Sequence, residues 1–116
     1  MTLTLDSLKA AVETFSMERD WKQFHTPKNL SMALSVEASE LVEIFQWLTP
    51  EQSAGLSPKQ RGDVADELAD VLIYLVQIAN QLDIDLLESS FKKLDKNRLK
   101  YPIEKSRGKA LKYSDL

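Results

Sequence analysis

Three glycines and four prolines are all the conformational punctuation this chain has. Glycine and proline are the residues that most often interrupt regular elements, so a set this sparse leaves room mainly for long, unbroken segments. The prolines also stand where helices begin or stop. Ser57-Pro58 reads as an N-cap followed by proline at the first helical position. Tyr101-Pro102 closes a segment, because the residue before proline disfavours the helical region.

Between these marks apolar residues recur at helical spacing. Leu5, Leu8, Val12 and Phe15 predict a first helix over about 4–20, with Thr4 or Asp6 as its cap. The aromatic-rich connector "DWKQFHTPKN" leads to a second helix over about 27–48, and "TPEQSAGLSPKQ" reads as a loop. A third helix follows over 58–82 and a fourth over 85–100, behind Asp83 or Asp85, leaving a basic, irregular tail from Pro102 to Leu116. No alternating strand pattern is present, so the expected fold is all-α, a four-helix bundle-type single domain spanning 1–116.

Composition removes several classes of function. A net charge of -3 gives no general attraction to nucleic acid or an anionic membrane. The absence of cysteine excludes disulfides, zinc-thiolate centres and thiol nucleophiles. No apolar run reaches the roughly 18 residues of a membrane span, and no secretory leader is recognisable, so a soluble cytoplasmic protein is expected.

Two helices nevertheless carry carboxylates where apolar residues belong. At about 100° per residue, Leu30, Leu34, Leu41, Phe45 and Leu48 form the inward stripe of the second helix. Glu37 lies in or beside that stripe and Glu40 on its edge, whereas Ser39 and Glu43 point away. Trp47 falls on nearly the same line, two turns beyond Glu40. In the third helix the apolar arc centres on Leu68, Leu72, Leu75 and Ala79. Asp63, Glu67, Asp70 and Tyr74 run along its flank, Asp66 lies on another side, and Ile73 is opposite. A buried, unpaired carboxylate is costly. If the two helices pack antiparallel, Glu37, Glu40, Glu67 and Asp70 meet, and a hard divalent cation with oxygen ligands is the natural remedy. Magnesium fits best, since it shares its coordination with substrate phosphates. Acidic pairs at i, i+3 are also ordinary on solvated faces, and it is their place on two apolar margins that singles these out. A di-iron carboxylate bundle would need Glu-x-x-His on two helices, and the lone histidine, His25, lies in a connector.

Together, E37-A-S-E40 and E67-L-A-D70 resemble the ExxE…ExxD signature of the MazG-like, all-α nucleoside triphosphate pyrophosphohydrolases. The stretches "RDWKQFHTPKNL", "EIFQWL", "DELADVLIYLV" and "KLDKNRLKYP" are similar to the dCTP pyrophosphatase branch, over about Arg19 to Tyr113. The resemblance implies cleavage of a nucleoside triphosphate between its α and β phosphates, giving monophosphate and pyrophosphate in the sanitation of nucleotide pools. The substrate it implies is dCTP or a 5-modified dCTP. It further implies that Glu37, Glu40, Glu67 and Asp70 are catalytic ligands of Mg2+, with Mn2+ as the alternative ion. Trp21, Phe24, His25, Trp47 and Tyr74 would enclose base and sugar. Lys93 and Asn97, neighbours at i, i+4, would take a phosphate with help from Arg98. Arg107, Lys109 and Tyr113 in the tail echo the same branch. One departure concerns helix one, which offers Val12 where the branch can place a polar group near the substrate.

The run "LADVLIYLVQIA" is apolar around most of its circumference, more than a lone small domain should expose. Together with the resemblance it predicts a homo-oligomer, a tetramer before a dimer, with sites at or near subunit contacts. Two other readings stand beside this one: a non-catalytic helical module that binds nucleotide or metal, and the same chemistry directed at dUTP or another triphosphate.

Overall fold

The computed structural model describes residues 2–116 and divides into two units, one ending at Asp83 and the other running from Ile84 to Leu116. The first unit holds α1 (Leu5–Glu18), a 3-10 turn (Lys22–Phe24), α2 (Pro27–Phe45), α3 (Pro50–Ala54) and α4 (Pro58–Leu82). The second holds α5 (Leu86–Lys100), α6 (Ile103–Ser106) and a 3-10 turn at Tyr113–Asp115. Among the described residues there is no strand, and no helix is long and apolar enough to cross a membrane.

Side-chain caps set the helix starts. Thr4 accepts from the Ser7 N–H to open α1, and Thr26 accepts from the Asn29 N–H to open α2. Thr49-Pro50-Glu51-Gln52 and Ser57-Pro58-Lys59-Gln60 are the same device used twice. In each, the hydroxyl accepts from the N3 backbone while the N3 glutamine carbonyl accepts from the cap backbone, and proline fills N1. The first of these builds α3 inside the segment expected to be a loop. It also ends α2 early. Thr49 must be extended before Pro50, so the helix expected to reach residue 48 stops at Phe45 and closes with a Leu48 N–H to Phe45 carbonyl bond of 2.9 Å. Asp83 terminates α4 in the left-handed region at φ 52°, and Asp85 caps α5 by accepting from the Glu88 N–H. The tail is less irregular than expected, since it contains α6 and the final turn.

Helices α2 and α4 pack antiparallel. Glu40 and Ile44 share a cleft with Asp63 and Glu67, while Glu37 shares the next with Asp70 and Tyr74, so numbers rise on one helix as they fall on the other. Helix α1 lies against the C-terminal half of α4, where the Gln77 amide donates to the Ser16 hydroxyl at 3.3 Å. Leu30, Val76, Val12 and Ala79 form the buried centre, with Ser16 beside them. Of the apolar arc expected to face inward on α4 only Ala79 is buried, while Leu68, Leu72 and Leu75 are 53%, 42% and 38% exposed. The covered line is instead Val64, Glu67, Val71, Tyr74 and Ile78. Ile73, expected opposite the core, is half-buried and lines a cavity. A helix that is apolar nearly all round has no single stripe to select, and here the face that turns inward carries the carboxylates.

Candidate active site

The antiparallel pairing brings Glu37 of α2 against Glu67 and Asp70 of α4, with one carboxylate oxygen from each lying within 4.8 Å of the others. Glu40 is the fourth member of the set, within hydrogen-bonding range of Glu37 and Glu67. It faces an outer cleft that Glu43 and Asp66 also line, although both were expected on other faces. None of the ion pairs among the described residues includes Glu37, Glu40, Glu67 or Asp70. Lys59, one turn before Asp63 on α4, is 3.0 Å from that residue instead.

The energetic consequence falls mainly on Glu37. Burial, then hydrogen bonding and repulsion from Glu40, then Glu67 and Asp70, raise its pKa from the ordinary 4.5 to about 7. Glu67 is raised too, by burial first; a hydrogen bond with Glu37 opposes this, while Glu40 and Asp70 add to it. Burial and the nearby charges of Glu37, Asp70 and Glu40 raise the Tyr74 phenol. Glu37 Oε2 and Glu67 Oε2 are buried without a hydrogen-bond partner. Orphaned acceptors of one chemical type, converging from two helices with no cation supplied by the chain, fit a hard divalent ion.

Next to the carboxylates lies a cavity of about 400 Å³ to which Glu37 and Asp70 contribute one wall and Trp21, His25 and Tyr74 others. Its size is that of a pocket for a small organic ligand. Trp21 reaches it through the end of α1. Asp20 takes a left-handed conformation at φ 55°, the Trp21 N–H bonds the Ser16 carbonyl at 3.0 Å, and the Asp20 N–H bonds the Met17 carbonyl at 3.1 Å. That double closure of a helix C-terminus reverses the chain. Gln23 holds it from outside by donating to the Asp20 carboxylate at 3.0 Å. Trp21 then sits edge-on to Phe15 (5.7 Å between centroids) and to His25 (6.2 Å). The Arg19 guanidinium stacks on the other side of the array, 3.6 Å from the Phe15 centroid.

Two other expected site residues of the first unit lie elsewhere. Phe24 is 60% exposed and does not line the cavity. Trp47, past the early end of α2, is 86% exposed, so within one chain it is not the wall that the helical line suggested. Lys93, Asn97 and Arg98 are on α5 in the second unit, where Arg98 pairs with Asp95 and Asn97 is half-buried. In that unit Tyr113 meets Tyr101 edge-on at 6.4 Å and carries Lys100 over its ring.

Ala11, Phe15, Ile73 and Gln77, none of them an expected contact, also line the cavity, as does Val12, which the sequence puts near the substrate. A signal existed for Gln77: it continues the flank of Asp63, Glu67, Asp70 and Tyr74 by one more step of three.

The sequence model of the MazG-like family matches residues 32–116. Over 97% of its length the chain is 45% identical to dCTP pyrophosphatase 1 of Bos taurus, covering 68% of that protein. It is 43% identical to dCTP pyrophosphatase 1 of Homo sapiens over the same shares of both chains. Among solved structures, a pyrophosphatase from Archaeoglobus fulgidus superposes with a TM-score of 0.81 at 36% identity, covering 88% of this chain and 95% of that one.

Proposed function

This chain belongs to the MazG-like family, and from that footing we propose that it hydrolyses dCTP, or a 5-modified dCTP, to the monophosphate and pyrophosphate. The observation that carries the reading is the adjacency of three convergent, unneutralised carboxylates and an aromatic-lined cavity. One part is suited to a triphosphate with its cation, the other to a base.

Glu37, Glu67 and Asp70 would hold magnesium, with Glu40 completing the set. When bound, the ion neutralises charge on the phosphates and acidifies water. The remaining work falls to the chain. Trp21, His25 and Tyr74 enclose the base and exclude water from it, and stacking on such faces contributes about 1–3 kcal/mol per base. The Glu40 carboxylate accepts a hydrogen from the incoming water and orients it. Lys93, Asn97 and Arg98 offer donors of the kind a leaving pyrophosphate requires.

The proposed assembly is a homo-oligomer, a tetramer before a dimer. Its support is the exposed apolar surface of the first unit, where Met32, Val36 and Val42 of α2 and Leu68, Leu72 and Leu75 of α4 are all uncovered. In such an assembly Trp47 would serve a site at a subunit contact. The proposed location is the cytoplasm.

The test is a panel of canonical and 5-modified nucleoside triphosphates with magnesium, reading the phosphorus-containing products. Monophosphate and pyrophosphate from dCTP are expected; diphosphate and phosphate would refute the cleavage position.

A further inference from the structure

The cavity wall has one polar group that the reaction outlined above does not use. Gln77 lines the cavity between Tyr74 and the α1 face, and its Nε2 donates to Ser16 Oγ at 3.3 Å. Ser16 is 4% exposed, so this contact anchors the amide from inside the protein. The other end of the amide, Oε1, is buried and has no hydrogen-bond partner among the described residues. Buried polar atoms are nearly always paired, and an exception calls for a cause. Toward the cavity, α1 offers it no donor, because the side chains of Ala11, Val12 and Phe15 are all carbon.

We propose that Gln77 is the specificity-determining residue for the base, its orphaned Oε1 accepting a hydrogen from the exocyclic amino group of cytosine. This rests on the reading of the cavity as the base site. Cytosine carries an amino donor at C4, where uracil and thymine carry a carbonyl acceptor. Oε1 is covered in the structure, and a turn of the amide that brings it to the base gives an acceptor satisfied by the first and repelled by the other two. A site that hydrogen-bonds one partner rejects an analogue lacking the group, because its own buried atom is then left unpaired. Ser16 acts as a positioning residue: it holds the amide by Nε2, and in that orientation Oε1 is the end left for the base.

The experiment compares kcat/KM for dCTP, dUTP and the analogue of dCTP that lacks the 4-amino group. The wild-type protein should prefer dCTP to both by about tenfold or more, with the difference carried mainly in KM. This arm needs no variant and so does not depend on one folding. In Gln77→Leu the dCTP-to-dUTP ratio should collapse by about tenfold. In Gln77→Glu, which keeps an acceptor but no donor, it should stay above that of Gln77→Leu. Equal use of dCTP and the 4-deamino analogue by the wild type overturns the proposal. So does an unchanged ratio in Gln77→Leu, or a loss in Gln77→Glu as complete as in Gln77→Leu. A wild-type protein that turns over no deoxynucleoside triphosphate refutes the reading of the cavity itself, and this assignment with it.

Discussion

Replacing Glu37 by glutamine removes a charge that the metal-free fold tolerates poorly, so a substitution expected to destroy the cation site should stabilise the protein that lacks the cation. Raising a glutamate from 4.5 to about 7 corresponds, at about 1.36 kcal/mol per pH unit, to a ceiling of about 3.4 kcal/mol. Water reaches part of this half-buried residue, and screening reduces the figure to about 1–1.5 kcal/mol. The direction of the pH dependence follows from the raised value. Between pH 4.5 and about 7 the folded state holds a proton that the unfolded chain releases. The stability this confers is complete below 4.5 and is lost as pH rises through about 7. In chelator, thermal melts of wild type and Glu37→Gln should therefore coincide near pH 4.5 and separate above pH 7. The variant should melt about 4–6 °C higher at pH 8.5 for a domain of this size. Saturating magnesium should raise the wild-type melt and leave the variant nearly unmoved. A variant that melts at or below wild type at pH 8.5 in chelator would refute the claim that Glu37 is a strained, repelled carboxylate.

Further outcomes follow from the other parts of the site and fold. Asp70→Ala or Glu40→Ala should lower magnesium-dependent pyrophosphate release by about a hundredfold or more, and near-normal turnover in either would sink the ligand assignment. Trp21→Leu should raise KM for dCTP about tenfold with a smaller change in kcat, as expected for lost stacking. Ser57→Ala removes the hydroxyl cap of α4 and should cost about 1 kcal/mol in a denaturant melt, with Ser57→Asp close to wild type. Leu72→Glu places a charge on the uncovered face of α4 and should shift sedimentation toward the monomer; an unchanged mass would clear that face of any role in assembly.

Much of the fold could be read from side chains that act on their own neighbours. Thr4, Thr26, Ser57 and Asp85 bond the backbone three residues on, which is why the starts of the long helices were visible without tertiary information. The early end of α2 comes from the same local chemistry, but α3 is only 5 residues long and too short to show periodicity. The α4 arc was misplaced for a different reason. Leu68, Leu72 and Leu75 are as apolar as the residues that are covered, and only packing against α2 and α1 decides which stripe turns inward. The convergence of Glu37, Glu67 and Asp70 could be anticipated because helical geometry fixes each pair and a short connection makes the helices antiparallel. Gln77 continues the flank of Asp70 and Tyr74, but a lone glutamine there looks like any polar helix residue until its partner Ser16, distant in sequence, is seen.

Helix α4 is a single unbroken span of 25 residues, and it carries Glu67 and Asp70 of the carboxylate cluster as well as Tyr74 and Gln77 on the cavity wall. It therefore works as a ruler. Gln77 stands seven positions beyond Asp70, about 10 Å along the axis, a length set by the helical rise and independent of any loop. A ligand gripped at both ends must match that length, so the sugar between base and first phosphate is gauged without being touched. Inserting one residue between Tyr74 and Gln77 would lengthen the scale by only about 1.5 Å but turn its far mark by about 100°. The two halves of the site would each survive, and no single molecule could read both.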